Sequence, residues 1–505
     1  MLLPTPATDP LPAAGGKKVA RVFAWALIAL TLVAMAFVTL TMVRAGEKRP
    51  DNPWKHMPQK RGHVDHLGMM KGPFPDGHSV TTACLMCHPQ AGKEMLESEH
   101  FTWLGDQVEA HGRGAVKTQQ IGKRNLLNNF CLSVESNWPR CTNCHAGYGW
   151  KDGNFDFSKV ENVDCLICHD QTGTYRKDLA GVPGKEVNLV AVAASVGLPT
   201  RENCGSCHFA GGGGDAVKHG DLDGTLGFPR ERIDVHMGRY DLTCIDCHQT
   251  KAHKIPGQSL SVAVSGTSRV ECTECHESTP HQDSRLNQHT SSVACPTCHI
   301  PVMAIDAPTK MVWDWSTAGQ NVGVSDPHRY LKEKGSFVYA QKVEPEYYWY
   351  DGTGDRYLKG DVISSGQVVA LNKPHGSIQN AKARIWPFKV HRGKQPYDKV
   401  HLTLMVAKTY GEGGFWTEFD WDKALRLGSQ ASGLPYSGSY GFATTEMYWP
   451  LAHMVQPGER ALQCQDCHGT TGRMPWKALG YTDDPGRVGG RQVGMLLQKK
   501  GGPSL

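Results

Sequence analysis

Apolar material is scarce in this chain. Only 39% of its 505 residues are hydrophobic, while 56 are glycine and 30 proline. The length suits about two or three ordinary domains, but this composition is too poor for conventional cores, and apolar volume must come from elsewhere. An excess of one charge is also missing: the formal balance is +5 with histidine neutral. That is too mild to mark a polyanionic partner, and no nucleic-acid motif is present. The glycine run Gly211–Gly214 lacks the GK[ST] ending and the strand–helix setting of a phosphate loop. It reads as a flexible turn, or as a place where backbone approaches a cofactor closely and positions Asp215, Lys218 and His219.

Cysteine, by contrast, is plentiful and ordered. Of 17 cysteines, sixteen fall in eight CxxCH motifs. The pairs are Cys84 and Cys87, Cys141 and Cys144, Cys165 and Cys168, Cys204 and Cys207, Cys244 and Cys247, Cys272 and Cys275, Cys295 and Cys298, and Cys464 and Cys467. Two thiols at this spacing add across the two vinyl groups of one haem, and the adjacent histidine ligates its iron. Those histidines are His88, His145, His169, His208, His248, His276, His299 and His468. A single copy is equally a zinc half-site or a redox dithiol, but eight copies each with its histidine exclude both. Eight covalent haem c groups with iron are therefore expected, and their porphyrins supply the missing apolar volume. The repeats are irregularly spaced, so they are attachment sites rather than units of a solenoid. Cys131 belongs to no motif and has no intrachain disulfide partner left.

A bis-histidine haem needs a second histidine from elsewhere. Of the 24 histidines, sixteen lie outside the motifs, and any single one is by default a surface residue. The pool of distal ligands is taken as His66, His100, His219, His236, His253, His281, His289 and His453. His100 ends Glu94–His100, which reads as a short helix. Lys123 and Lys151 flank the Cys131 stretch, and solvated surface charge is their plain reading.

The chain divides by texture. Residues 1–21 read as a disordered cytoplasmic N-terminus. Residues 22–43 are an uncharged run bracketed by Arg21 and Arg44, matching the roughly 20 apolar residues that span a bilayer. The run exceeds the ~7–15-residue core of a signal peptide, which favours an uncleaved anchor, although Val43–Arg44–Ala45 loosely fits a cleavage site. Lys17, Lys18 and Arg21 favour a cytoplasmic N-terminus, and Arg44, Lys48 and Arg49 weaken that preference. Haem c attachment outside the cytoplasm decides the orientation: a single-pass inner-membrane anchor with the bulk in the periplasm. Residues 44–80 form a tether, 81–300 a seven-haem core, and 464–505 the eighth haem and tail. Residues 301–463 carry no motif and are rich in Trp, Tyr and Gly. Gly335–Val343 and Gly366–Leu371 are its β-prone pieces, and it reads as a wrapping segment with short strands rather than a separate binding module. The expected fold is mainly irregular with short α-helices, a multihaem cytochrome c with low secondary-structure content, plus one N-terminal transmembrane helix.

NNFCLS, CTNCHAGYGWKDGNFDF, NVDCLICHDQTGTY, CGSCHFAGGGGDAVKHGDLD and HTSSVACPTCHIP together resemble the octahaem tetrathionate reductase family of multihaem cytochromes c. The resemblance covers most of residues 64–313 and a stretch around His453–Tyr481, and is much weaker between 314 and 450. It implies one catalytic haem carrying a lysine ligand: Lys218 on the haem of Cys141, Cys144 and His145. Lys151 is the second candidate for that role. Asp215, Asn128 and Cys131 would lie beside the iron, and the other seven haems would be bis-histidine wires. The anchor departs from the soluble family pattern and leaves the electron donor open between a quinol-linked partner and a periplasmic cytochrome.

A lysine ligates iron only when neutral, and Cys131 near cations is a candidate thiolate. Asp215 suits proton transfer and Asn128 hydrogen bonding to an oxyanion. The leading reading is two-electron reduction of tetrathionate, a small inorganic oxyanion. Nitrite or hydroxylamine reduction at the same haem is the second reading. A non-catalytic electron conduit is the third.

Overall fold

A computed structural model describes residues 63–492 apart from 113, 114, 258, 266 and 267, with short pieces between 25 and 35. Two compact units divide the chain, Met1–Pro58 and Gln59–Leu505, and everything below concerns the second. The expected span 22–43 lies outside the described residues except for those short pieces. Among the described residues no helix is long and apolar enough to cross a membrane.

Six of the eight CxxCH motifs lie in short helical elements: Leu166–His169, Arg201–His208, Cys244–Cys247, Cys295–His299 and Cys464–Cys467 are α-helical, and Cys272–Glu274 is a 3-10 turn. Residues three and four apart share a helix face, so both thiols and the histidine face one side. In three motifs the second inner residue caps its own turn. Asp246 accepts from the Thr243 N–H at 2.7 Å, Glu274 from that of Glu271 at 2.9 Å, and Asp466 from that of Gln463 at 2.7 Å. The segment ending in His100 is two helices, Pro89–Leu96 and Glu99–Thr102, because the chain turns extended at Ser98 before restarting.

The expectation of short strands in 301–463 needs correction. This segment builds an eight-stranded mixed sheet. Its strands are β1 (Thr309–Asp314), β2 (Tyr330–Leu331), β3 (Gly335–Ala340), β4 (Glu346–Tyr350), β5 (Val369–Ala370), β6 (Arg384–Asp398), β7 (Thr403–Leu404) and β8 (Tyr440–Pro450). The path is β2-β3-β1-β6-β8-β5, with β4 and β7 also on β6. β6 is 15 residues long and β8 is 11. They pair antiparallel from Phe388↔Pro450 to Asp398↔Tyr440, and β1 joins β6 in parallel at Arg392↔Val312. The Gly366–Leu371 piece shrinks to the two residues of β5. Composition hid β6 because polar residues interrupt it: Lys389, His391 and Gln395 are buried on one face. Phe388 and Val390, on the other face, pack with Leu260, Tyr350 and Tyr448.

The sheet is not a separate module. One core cluster joins Leu127, Phe130 and Leu132 of the Cys131 stretch and Val217 beside Lys218 to Trp313, Trp315 and Phe337 of the sheet. Trp313 stacks on Trp315 at 4.8 Å, and Phe415 on Trp421 at 4.0 Å, so these aromatics serve packing. The helix Trp421–Ser432 closes the cluster, with Asp420 as N-cap and Gly433 as its left-handed C-terminal stop. A Cβ on Gly428 would lie 2.1 Å from the Val406 carbonyl. Gly428→Ala, normally worth up to about 1 kcal/mol of helix stability, is therefore expected to cost about 1–3 kcal/mol through overpacking. Guanidinium unfolding of the variant checks this.

Candidate active site

Histidines meet in pairs across the molecule. Ring centres lie 6.2 Å apart for His66 and His88, 6.1 Å for His100 and His208, and 6.0 Å for His236 and His276. His248 and His453 are 6.3 Å apart, His281 and His299 6.3 Å, and His289 and His468 6.2 Å. Two imidazoles bonded to opposite sides of one metal at roughly 2 Å hold their ring centres about 6 Å apart. Each pair joins one motif histidine to one from outside, so these positions fit an iron between them. Several motif histidines have their outer nitrogen tied down, as metal-binding imidazoles require. Nδ1 of His169 meets the Gly197 carbonyl at 2.8 Å, that of His248 the Pro256 carbonyl at 2.6 Å, and that of His468 the Asp484 carboxylate at 2.6 Å.

Three histidines differ. His253 holds Glu94 at 2.9 Å and lies near enough to the buried His169 to act on it electrostatically. His219, taken as a distal ligand, packs its ring on Trp449 at 4.7 Å rather than across from a motif histidine. It follows Lys218 directly, and the chain there is bound to the sheet by backbone contacts that fix its direction. His145 is fully buried among the rings of Phe101, Trp103, Trp150 and Phe155. Its Nε2 donates to the Phe101 carbonyl and its Nδ1 has no partner. Burial pushes this imidazole down to about 3, so it is neutral, as a ligand must be.

Cysteines of different motifs also meet: Cys84 with Cys165, Cys144 with Cys207, Cys204 with Cys244, and Cys272 with Cys295. Attachment sites are thus side by side. The motif of His145 abuts that of His208, which abuts that of His248.

The carbonyl of His145 is held by a buried cluster. Lys177 donates to it and, at 3.2 Å, to the Gly147 carbonyl, and pairs with Asp164 at 2.7 Å. Asp164 also accepts from Tyr148 at 2.8 Å and Tyr175 at 3.1 Å.

Lys218 arrives on a loop made thin by glycine. A Cβ on Gly212, whose φ is +78°, would lie 2.8 Å from Lys218 Cδ and 3.0 Å from the Phe130 ring. The loop is clamped to the sheet: Thr309 donates to the carbonyls of Ala216 at 2.8 Å and His219 at 2.9 Å. Lys389 donates to the Val217 carbonyl at 2.8 Å and to Thr309 Oγ1 at 2.6 Å. Burial first, then the charge of Lys123, pushes Lys218 down to about 8. Lys151, the second candidate, is exposed.

The Cys131 turn is docked on the same strand. Asn129 and His391 exchange hydrogen bonds at 2.8 and 2.9 Å. Asn128 Oδ1 accepts from the N–H groups of Phe130 at 3.1 Å and Cys131 at 2.7 Å, which leaves only its amide NH2 to point elsewhere. The Cys131 thiol departs from the thiolate expectation: burial pushes it up, opposed by the charges of Lys334, Lys310, Lys123 and Lys218. Asp215 is exposed, accepts from the Gly224 N–H at 2.9 Å, and acts electrostatically on Tyr339. Lys310, Lys334 and Lys389 were not singled out from sequence. Each stands in an ordinary strand or turn context, and only the fold brings them here.

Comparison with known proteins agrees with this framework. A family model described as "Cytochrome c bacterial" matches residues 310–471, and one described as "Cytochrome c554 and c-prime" matches 83–170 and 230–277. An uncharacterized protein of Archaeoglobus fulgidus is 22% identical over 251 residues, which is 39% of this chain and 82% of that one. The crystal structure of an octahaem cytochrome c from Shewanella oneidensis superposes with a TM-score of 0.79 at 46% identity. The match covers 87% of this chain and 99% of that chain. Motifs, fold and histidine pairs together define a multihaem cytochrome c. Within that class the chain belongs to the octahaem cytochromes c, with haem c and its iron covalently bound.

Proposed function

We propose that this octahaem cytochrome c reduces tetrathionate to thiosulfate beside Cys131, with His145 and Lys218 as the residues that would hold the catalytic haem. The six facing histidine pairs, and His169 with His253, would hold the remaining seven haems. When bound, the haems supply single electrons, and the lysine-ligated one supplies an exchangeable position. The observation carrying this reading is one free thiol packed against the aromatic cluster over which the Lys310 ammonium sits, with the charges of Lys334 and Lys123 also favouring its ionisation. A doubly charged anion with an S–S bridge matches such a place in both charge and chemistry.

The residues divide the work. The lysines attract the sulfonates and lower the cost of ionising Cys131. The thiolate attacks a bridging sulfur, releasing one thiosulfate and leaving a Cys131–S–SO3 adduct. Two electrons cleave that adduct, release the second thiosulfate and restore the thiolate. Asn128 would offer its amide NH2 to a substrate oxygen, and the exposed Asp215 would pass protons. The haem-bearing unit would work in the periplasm, anchored through residues 22–43 and fed by a quinol-linked donor or a periplasmic cytochrome.

Cys131→Ser tests the reading. Tetrathionate turnover is expected to fall on the order of 10³-fold with haem absorption and EPR unchanged. Unchanged turnover removes Cys131 from the chemistry. An EPR signal that shifts with nitrite or hydroxylamine but not with tetrathionate moves the reading to nitrogen oxyanions, and no shift with any of them leaves a conduit.

A further inference from the structure

The fold buries three lysines almost completely, and two of them donate hydrogen bonds to buried acceptors. Lys177 has Asp164 and two carbonyls, and Lys389 has the Val217 carbonyl and the Thr309 hydroxyl. Lys310, the second residue of β1, is the exception. It is 2% exposed, yet among the described residues no carboxylate pairs with it and no hydrogen bond leaves its ammonium. Its Nζ sits over the rings of Phe337 at 3.4 Å, Trp313 at 3.8 Å and Tyr339 at 5.2 Å. Ring faces offset only part of the cost of taking an ammonium out of water, and they leave its donors unused. Burial pushes Lys310 down to about 7, the charge of Lys334 adds to that, and the Cys131 thiol is the group that opposes it. Ring faces are the only partners the described residues give this cation, and a methionine would fill the same aromatic box without the desolvation cost.

We infer that Lys310 is the substrate anchor of the site: its ammonium receives a sulfonate of the sulfur oxyanion and holds the S–S bridge against Cys131. This rests on the reading given under Proposed function and deepens it by assigning the anion contact. The aromatic box fixes the Nζ position without supplying a hydrogen-bond acceptor. The bound anion then supplies both the missing acceptor and the missing countercharge. The site is thereby matched to a tetrahedral oxyanion rather than to a neutral disulfide, for which the ammonium would remain unpaired.

Holoprotein makes the test clean, because Cys131 is the one cysteine outside the haem motifs and so the one thiol to alkylate. Wild type and Lys310→Met are labelled with iodoacetate and with iodoacetamide, with and without sodium thiosulfate, and read by mass spectrometry. In wild type the anionic reagent is expected to be favoured about tenfold beyond a free thiol, and thiosulfate to protect Cys131. Lys310→Met should lose both the preference and the protection. In parallel, KM for tetrathionate should rise about 10–100-fold with a smaller fall in kcat, unaltered haem spectra and a melting temperature equal or higher. Equal thiosulfate protection and equal KM in both proteins overturn the inference. A shifted haem potential with unchanged anion behaviour also overturns it, since Lys310 then pairs with a haem propionate. If wild type does not turn over tetrathionate, yet thiosulfate protects Cys131 only while Lys310 is present, the anchor stands and the proposed reaction falls.

Discussion

Lys177→Met is expected to cost about 3–5 kcal/mol of stability, the usual penalty for removing one partner of a buried ion pair. The pair qualifies on geometry: 2.7 Å between Nζ and carboxylate, with side chains 3% and 0% exposed. Asp164 cannot escape to water, because Tyr148, Tyr175 and the Ile167 N–H all bond to it. The substitution leaves a carboxylate buried against two phenols whose own ionisation burial and Asp164 already suppress. Lys177→Met with Asp164→Asn should recover most of the loss, since the charge is then gone from both sides. Guanidinium unfolding of the two variants, followed by near-UV circular dichroism, separates these outcomes. A loss below about 1 kcal/mol, the scale of an exposed pair, would mean the pair is not buried in solution. The functional consequence follows from the second set of bonds: Lys177 holds the His145 and Gly147 carbonyls, so the single variant should also disorder the motif of His145.

Lys389→Met is the second large effect, and here stability and activity separate. The substitution removes a buried ammonium whose ionisation burial strongly disfavours, which stabilises. It also strips the Val217 carbonyl and Thr309 hydroxyl of their donor, at about 1–3 kcal/mol for a buried group left unsatisfied. The two terms oppose, and net stability should move little. Lys218, however, hangs from the backbone that Lys389 clamps, and a shift of about 1 Å in a reacting group costs roughly 10²-fold in rate. The expected result is a fall in kcat of about 10²-fold with KM held within a factor of a few, and a broadened or shifted EPR signal from the haem that Lys218 is proposed to ligate. Lys389 is a positioning residue in this account. A KM change without a spectroscopic one would place it instead among the groups that meet substrate.

Much of the chemistry was written locally. A CxxCH motif needs only one helical turn to gather its three groups, so the eight attachment sites required no tertiary information. The glycines before Lys218 read as a turn or as close approach to a cofactor, and what the structure shows is Gly212 against the Lys218 stem. The sheet was not legible. β6 carries Lys389, His391 and Gln395 on a buried face, and polar residues in a strand read as solvent-facing until their partners are known. His219 illustrates the same limit, since histidine's presence in the pool said nothing about which ring it would meet.

The sequence by itself determined the cofactor, its number and the protein class, because covalent attachment depends on residue type at fixed short spacing. It also singled out Cys131, by counting what the motifs leave over. Tertiary structure alone decided which histidines face one another and which lysines surround Cys131. It also decided that Lys310 and Lys389 are buried while Lys151 is exposed. The reason is physical. A lysine's charge, ligating ability and role depend on how much water and which acceptors surround it, and those are supplied by residues far away in the chain.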